Sequence, residues 1–234
     1  MRYLAVFDFD FTVIEDDSDR YIVKSLSESL YAKMKDHQKK MQFTELCDMM
    51  VGELHKLGNN PDDLKKTLRT IPFNPAMYDI MKLLQENNAE IIVISDANTI
   101  YIDEISDQYQ IKQFISHVIT NPAHFDDDGR LHIRKRCEKH DCLNGCAVNI
   151  CKGVELLEYI NSKGSPYDRL IYVGDGTNDF CPSTKLGPND YVFPRKDFPF
   201  SRKIKDEQYR NEITARINEW ESADELLSLL RNLL

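Results

Sequence analysis

The sequence has no long apolar run and no excess of positive charge. No stretch approaches the roughly 20 apolar residues that a membrane-spanning helix needs, and acidic residues from Asp8 onward leave no apolar region for a secretory signal peptide. Acidic side chains number 39 against 30 lysines and arginines, so the formal net charge is −9 and the average field repels nucleic acid and anionic membranes. We therefore expect a cytoplasmic protein that binds neither a nucleic acid nor a membrane.

Cysteine is too sparse for a disulfide-stapled fold, with six in 234 residues. Cys47 and Cys181 stand alone, and the other four lie between residues 137 and 151. Zinc binding is an alternative for that crowded segment, whose candidate ligands are Cys137, His140, Cys142, Cys146 and Cys151. Their spacings differ from the paired two-residue spacings of familiar structural zinc sites, which favours reduced, buried thiols that support the segment containing Lys152.

Three short apolar runs end abruptly in polar residues. The run 3–7 ends at Asp8, the run 91–94 ends at Ser95, and the run 170–173 ends at Gly174 and Asp175. Such runs are typical of strands buried on both faces, and helical patterns lie between them. The alternation predicts an α/β fold with a Rossmann-like, open parallel sheet, in which ligands bind beyond the carboxyl ends of the strands.

One polar stretch interrupts this alternation. Residues 16–69 carry apolar side chains at helical spacing, which predicts a small helical cap over 15–71, inserted into a catalytic core of 1–14 and 72–234. The methionines and aromatics of the cap are more typical of its own core than of a ligand pocket. Farther along, the Asp-Gly pair at 128–129 predicts the turn of a hairpin over 124–133.

The segment Phe7-Asp8-Phe9-Asp10-Phe11-Thr12 carries the first chemical signal. On a strand end with a two-residue period, Asp8 and Asp10 point the same way, so we expect their carboxylates to converge at the mouth of the sheet. Mg²⁺ prefers such oxygen ligands and bridges them to a substrate phosphate. One aspartate can then attack phosphorus while the other transfers protons. The alternative is a polar strand exit with solvated aspartates.

Three further segments have the residues that a phosphate site needs. Gly174-Asp175-Gly176-Thr177-Asn178-Asp179 places two acids after a buried strand, Ser95 can donate a hydroxyl to a phosphate oxygen, and Lys152 can neutralise its charge. In isolation each is more typical of a turn, a helix cap or a surface lysine. Their joint presence in this order favours a phosphate site.

These four segments together resemble the motifs of the haloacid dehalogenase superfamily. The resemblance implies that Asp8 is the nucleophile and Asp10 the general acid/base. It also implies that Mg²⁺ is bound by the Asp8 side chain, the Asp10 carbonyl and Asp175, with Asp179 orienting a metal-bound water or Lys152. Ser95 and Lys152 would hold the phosphoryl group, and the cap would close over it.

A narrower resemblance is to the phosphoethanolamine/phosphocholine phosphatase family, which includes a pyridoxal phosphate phosphatase. It is carried by the segments Asp16-Asp17-Ser18-Asp19, Ser95-Asp96-Ala97-Asn98, Thr120-Asn121-Pro122-Ala123, Asn149-Ile150-Cys151-Lys152, Gly174 to Pro182, and Pro194-Arg195-Lys196. The chain departs from that family at Phe11, where relatives commonly carry a polar residue. It also departs in the loop 140–147, which is one residue longer than usual and lacks a proline.

The resemblance implies a small phosphomonoester substrate, with pyridoxal 5′-phosphate, phosphoethanolamine and phosphocholine as candidates. Each carries a nitrogen that is or can become cationic, so we expect the pocket to contain acids not used for metal binding. Asp19 and Asp96 are the candidates, and the alternative for Asp19 is a helix cap. Two other functions stay open: a binding or regulatory protein that has lost catalysis, and a phosphotransferase that uses another alcohol as acceptor.

Overall fold

The protein is described here by a computed structural model that covers residues 1–234. Six strands form one parallel sheet in the order β3-β2-β1-β6-β7-β8, and two form a separate antiparallel hairpin, β4-β5. The strands are β1 (Tyr3–Phe7), β2 (Ala89–Asn98), β3 (Ile115–Asn121), β4 (Ala123–Phe125), β5 (Leu131–Ile133), β6 (Arg169–Gly174), β7 (Tyr191–Pro194) and β8 (Arg216–Ile217). The predicted α/β fold with a parallel sheet is confirmed, and the hairpin is present.

Eleven α-helices surround the sheet. They are α1 (Ser18–Leu26), α2 (Glu28–His37), α3 (Phe43–Lys56), α4 (Pro61–Leu68), α5 (Ala76–Glu86), α6 (Thr99–Gln108), α7 (Lys152–Ser162), α8 (Phe180–Ser183), α9 (Pro199–Lys203), α10 (Glu207–Arg210) and α11 (Ala223–Leu233). Among them there is none with both the length and the apolar character required to cross a membrane.

Alternation along the central strands produces two hydrophobic clusters, one on each face of the sheet. Ala5 and Phe7 of β1 belong to the larger cluster, whereas Leu4 and Val6 belong to the smaller one. All five residues of β1 are buried, because helices cover both faces of a parallel sheet. The apolar runs of the sequence are therefore central strands.

The inserted segment folds as four helices, α1 to α4, between β1 and α5. Its apolar side chains, such as Leu46 and Leu54, belong to the same cluster as Ile80 and Leu226 of the body. The cap therefore packs on the larger-cluster face without a break in hydrophobic contact. The domain division at 14/15 and 71/72 stays a prediction.

Candidate active site

The candidate site lies where the strand order reverses. The chain leaves β1 toward β2 and β3 on one side, and returns to β6, β7 and β8 on the other. Asp8 follows β1 and Asp175 follows β6, the parallel neighbour of β1. Crevices of this kind, at the carboxyl ends of parallel strands, are where open α/β sheets bind ligands.

Asp8 and Lys152 form a buried ion pair at the centre of the site. The Lys152 Nζ lies 2.7 Å from Asp8 Oδ2 and 2.8 Å from Asp179 Oδ1, and its side chain is completely buried. Burial lowers the pKa of the Lys152 ammonium, but the charges on Asp179 and Asp8 outweigh that effect and the net pKa is raised. The lysine therefore stays cationic between two carboxylates, where it can also attract a phosphoryl group.

Asp179 is held in one orientation by four donors. Its Oδ1 accepts from Lys152 and from the Tyr172 hydroxyl at 2.7 Å, while its Oδ2 accepts from the backbone N–H of Asp175 at 3.0 Å and of Gly176 at 2.8 Å. Both oxygens are thus engaged by the protein. This arrangement suits a residue that orients Lys152 and the Gly174–Asp179 turn better than a direct metal ligand.

The three carboxylates at this centre outnumber its one lysine. Oxygens of Asp8, Asp175 and Asp179 lie within 4.8 Å of one another, and all three residues are buried. Burial, followed by the charge on Asp179, raises the pKa of Asp8 well above its ordinary value and that of Asp175 to about 7. Buried carboxylates that resist ionisation in the absence of a counter-charge fit a divalent cation bound by hard oxygen ligands.

Asp10 does not share this centre. The sequence argument required a strand that continues through Asp10, but β1 ends at Phe7 and residues 9–14 form a turn. The Asp10 carboxylate lies within 4.8 Å of those of Asp17 and Asp19, and its Oδ1 accepts from the Ser18 N–H at 3.0 Å. The strand geometry assumed for the convergence of the Asp8 and Asp10 carboxylates is therefore wrong, and the two residues belong to adjacent acidic groups. Their catalytic roles stay predictions.

The second acidic group raises the pKa of its members. Burial is the main cause for Asp10, and the charges on Asp17 and Asp19 add to it. The pKa of Asp19 is raised well above its ordinary value by burial and then by Asp17 and Asp96. A raised pKa favours the protonated carboxyl, which is the form that a general acid needs.

Asp19 is not the residue that caps helix α1. Asp17, its neighbour but one, caps α1 by accepting from the Arg20 N–H, whereas Asp19 is buried and its Oδ1 has no hydrogen-bond partner. The Tyr101 hydroxyl is also buried without a partner, and the charge on Asp19 helps to raise the pKa of that phenol. Unpartnered buried polar atoms mark a place where a polar ligand gains hydrogen bonds.

Ser95 and Asp96 lie inside β2, which continues to Asn98 beyond the predicted end of the strand. Ser95 is fully buried, and its hydroxyl accepts from the Ala97 N–H at 3.2 Å. Asp96 is partly exposed, and its charge raises the pKa values of Asp8 and Asp19 alike. It therefore lies close enough to act on both acidic groups.

Three residues outside the predicted set of site residues organise the loop after β1. The Thr12 hydroxyl donates to Asp175 Oδ1 at 3.2 Å. Arg195 donates to the Phe11 carbonyl at 2.6 Å, forms an ion pair with Glu15, and packs over the rings of Phe198 and Trp220. Phe11 has φ of 52°, a left-handed conformation. The only sequence signal for Arg195 was its place in a family segment.

Amide side chains connect the ends of β2 and β3 to the cap. Asn121 donates to the carbonyl of Asp96 at 2.6 Å and to that of Ala97 at 3.0 Å, and its own Oδ1 accepts from Asn149 at 3.4 Å. Asn149 Oδ1 accepts in turn from Gln42, the residue that caps α3. The two family segments containing Asn121 and Asn149 thus position the backbone on either side of the site.

Comparison with known proteins agrees with this geometry. A family model described as Putative Phosphatase matches residues 3–234. The pyridoxal phosphate phosphatase PHOSPHO2 of Mus musculus is 36% identical over 241 residues, covering 100% of this chain and 99% of its own. A thiamine phosphate phosphatase-like protein of Arabidopsis thaliana is 32% identical over 240 residues, covering 100% of this chain and 96% of its own.

Among solved structures, a HAD family hydrolase, t0658, of Salmonella enterica serovar Typhi superposes with a TM-score of 0.68 at 18% identity, covering 99% of this chain and 72% of its own. At that identity the likeness speaks for the fold alone. The family model and the full-length relatives carry the assignment further, and they confirm the expected phosphatase family. The fold is that of haloacid dehalogenase-type hydrolases, and the chain belongs to the Putative Phosphatase family and is a phosphoric monoester hydrolase.

Proposed function

We propose that the protein is a magnesium-dependent phosphatase that acts on a small phosphomonoester through a phospho-aspartate on Asp8. The observation that carries the proposal is the buried Lys152, paired with Asp8 at 2.7 Å and with Asp179 at 2.8 Å, beside the poorly ionised Asp175. Asp8, Asp175 and the Asp10 carbonyl would hold Mg²⁺. When bound, Mg²⁺ neutralises the carboxylates and withdraws charge from the phosphoryl oxygens.

The residues of the chain divide the reaction into two displacements. An Asp8 oxygen forms a bond to phosphorus as the ester P–O bond breaks, and Asp10 gives its proton to the leaving alcohol. Asp10 then takes a proton from water as the water oxygen bonds to phosphorus, which breaks the aspartyl bond and releases phosphate. Lys152 and Ser95 would stabilise the phosphoryl oxygens in both steps.

The second acidic group is proposed to select substrates with a positive charge. Asp19 is buried, the charges of Asp17 and Asp96 act on it, and the neighbouring cation, Arg20, is already paired with Asp17. Pyridoxal 5′-phosphate, phosphoethanolamine and phosphocholine each carry a nitrogen that is or can become cationic, and a sugar bisphosphate does not. We place pyridoxal 5′-phosphate first, in line with the name of the mouse relative.

A substrate panel tests the activity. It contains those three phosphomonoesters, thiamine monophosphate and para-nitrophenyl phosphate, assayed by release of inorganic phosphate with and without Mg²⁺. We expect Mg²⁺ to be required, and brief acid quenching to trap a phosphorylated protein whose label maps to Asp8. Turnover without any divalent cation, or a label elsewhere in the chain, would overturn the mechanism. Phosphate appearing on an added alcohol in place of water would indicate a phosphotransferase.

Isosteric variants test the substrate selection. Asp19→Asn and Asp96→Asn keep the side-chain volume and remove the charge, and Asp36→Asn on the exposed surface of α2 is the matched control. We expect about a tenfold or larger loss of kcat/KM for the cationic substrates, since each lost charge-assisted contact is worth about 1.5–3 kcal/mol. The kcat/KM for para-nitrophenyl phosphate, whose aryl group carries no cation, should change little. An equal loss for both kinds of substrate would show that these carboxylates do not select for the nitrogen.

A further inference from the structure

Four cysteine thiols converge on one point beside the candidate site. The Sγ atom of Cys142 lies 3.6 Å from that of Cys146 and 3.5 Å from that of Cys181, and the Cys151 Sγ lies 3.7 Å from both. All four sulfur atoms lie within 4.8 Å of one another. We call these four residues the thiol cluster.

These separations match a metal site better than a disulfide. A disulfide requires sulfur atoms about 2.05 Å apart, and all six cysteines of the chain are free. Four thiolates around a tetrahedral zinc, at Zn–S distances of about 2.3 Å, are about 3.8 Å from one another. The four measured edges, 3.5 to 3.7 Å, are close to that value.

The thiol cluster joins three separate parts of the chain. Cys142 and Cys146 come from the loop 134–151, Cys151 is the N-cap residue of α7, and Cys181 lies in α8. Gly153 permits the close approach of the two helices, because a Cβ there would lie 2.6 Å from the Cys181 Sγ. The cluster is thus assembled by the tertiary fold.

The middle of the loop 134–151, residues 138–148, has no buried side chain. It contains no helix or strand, and its apolar side chains Leu143 and Val148 are 98% and 46% exposed. A segment that buries so little apolar surface gains little hydrophobic stabilisation, and structural zinc commonly replaces a core in such segments. Cys142, Cys151 and Cys181 also line a surface cavity, which offers a metal a path inward, and the lysines Lys139 and Lys185 of the same cavity favour the negatively charged thiolate form.

We propose that the thiol cluster is a structural zinc site with Cys142, Cys146, Cys151 and Cys181 as its ligands. Four thiols would release their protons as the Zn–S bonds form, and the site would have no open position for substrate. Soft thiolates select zinc, whereas the carboxylates of Asp8, Asp175 and Asp179, which we call the acidic centre, are hard ligands that suit magnesium. Because Cys151 precedes Lys152 and Cys181 follows Asp179 by two residues, the zinc would fix the backbone that presents this ion pair.

The thiol cluster differs from the candidate ligand set of the sequence in two respects. Cys137 donates to the Val148 carbonyl at 3.3 Å, and the His140 ring nitrogen Nε2 lies 2.8 Å from the Ala147 carbonyl, so neither belongs to the cluster. Cys181 supplies the fourth thiol although it stands 30 residues beyond Cys151. The expectation of reduced thiols agrees with the structure, but Cys142 and Cys146 are only partly buried.

Elemental analysis of the full chain is the primary test. Protein purified without chelators, or refolded with zinc under reducing conditions, is expected to hold one zinc per chain. Cobalt in its place should give the visible and thiolate charge-transfer absorption of a tetrahedral sulfur site. Cys146→Ser and Cys181→Ser should hold less than a tenth of an equivalent after dialysis. The matched controls Cys47→Ser, buried in the cap, and Cys137→Ser, in the same loop, should keep the metal.

A second measurement keeps the test independent of folding in the variants. Titrating the folded wild type with a thiol-reactive mercurial should release zinc as the cluster thiols react, and a metal-sensitive dye reports the release. No zinc above background in the wild type after reconstitution would overturn the proposal. Equal loss in Cys137→Ser, or disulfides among these cysteines in protein prepared under reducing conditions, would also overturn it. None of these measurements depends on phosphatase activity.

Discussion

The acidic centre and the thiol cluster share two stretches of chain. Cys151 and Lys152 are consecutive, and Asp179 and Cys181 are separated by one residue, so each stretch supplies one residue to each centre. The acidic centre offers hard oxygens at the mouth of the sheet, and the thiol cluster offers soft sulfurs in a closed set. A short segment can therefore supply both a residue of the acidic site and a cysteine that would hold that residue in position.

The two centres also differ in how their loops are held. Residues 9–14 bury Phe9, Val13 and Ile14, and the Phe9 carbonyl accepts from the N–H groups of Thr12, Val13 and Ile14. The loop 134–151 has exposed apolar residues and carries three of the four cluster thiols. We infer that packing and hydrogen bonds hold the first loop, and that sulfur ligation holds the second.

Removing Asp8, the proposed nucleophile, should have the largest effect on the acidic centre and none on the thiol cluster. Asp8→Asn keeps the side-chain shape but eliminates the attacking oxyanion, so we expect kcat to fall by about 10⁴-fold or more. Phosphate release under saturating substrate measures this, and zinc content measured on the same sample should be unchanged. Retention of a tenth of the wild-type rate by folded protein would contradict the covalent mechanism. Asp36→Asn is the control for the loss of one acidic charge.

Asp175 makes the acidic centre sensitive to pH. Its pKa is about 7 in the folded protein against an ordinary value of 3.8. Between these two pH values the folded state therefore keeps a proton that the unfolded state has lost. The associated stability is fully present below about pH 4 and is lost as the pH rises through about 7. In magnesium-free protein, Asp175→Asn should therefore gain several degrees in Tm relative to the wild type over that interval.

Magnesium should reverse that difference, because it requires the ionised carboxylate. We expect the magnesium-induced rise in Tm of the wild type to grow as the pH rises through about 7 and to be absent in Asp175→Asn. Thermal melts at several pH values, with the zinc content held constant, provide the measurement. A magnesium effect that is equal at pH 6 and pH 8 would mean that Asp175 is not a ligand. Calcium should bind but inhibit, because its larger and looser coordination misplaces the attacking oxygen.

A substitution of Arg195 tests whether packing and hydrogen bonds alone hold residues 9–14 in place. Arg195→Lys keeps the charge but cannot reproduce both the contact to the Phe11 carbonyl and that to Glu15. We expect kcat to fall about 10- to 100-fold, since a displacement near 1 Å can cost that much. The magnesium concentration for half-maximal activity should rise, because Thr12, which donates to Asp175, lies in this loop. Lys196→Ala, at an exposed neighbouring cation, should change neither quantity.

The sequence was sufficient for the fold because each central strand is an uninterrupted apolar run that ends in a polar residue. It was also sufficient to identify Asp8, Lys152, Asp175 and Asp179 as members of one site, since carboxyl ends of parallel strands share an edge. It could not predict the direction of Asp10, which depends on β1 ending at Phe7 and not three residues later. A strand end is fixed by hydrogen bonds to neighbouring strands, which the local pattern does not contain.

Long-range convergence was the other limit. Nothing near Cys181 in the sequence distinguishes it from an isolated buried thiol, because its partners are brought in by the packing of α7 against α8. Tyr172 was counted as one apolar residue of a strand, although its hydroxyl reaches Asp179. Tyr101 was missed for the same reason, although its hydroxyl is buried without a hydrogen-bond partner. Residues of this kind become visible only once side chains from distant segments have positions.

The smallest expected effect concerns Phe11, which has a strained backbone conformation in the loop 9–14. Phe11 has φ of 52°, and its ring lies 5.6 Å from that of Phe198. Phe11→Ala and Phe11→Asn both remove the ring, but asparagine tolerates the left-handed conformation better than alanine does. We expect Phe11→Asn to be more stable than Phe11→Ala by about 0.5–1 kcal/mol, measured by denaturant unfolding. Zinc content should be identical in both. Equal stabilities would show that the turn relaxes when the ring is lost, so that the aromatic contact with Phe198 is what imposes the left-handed backbone.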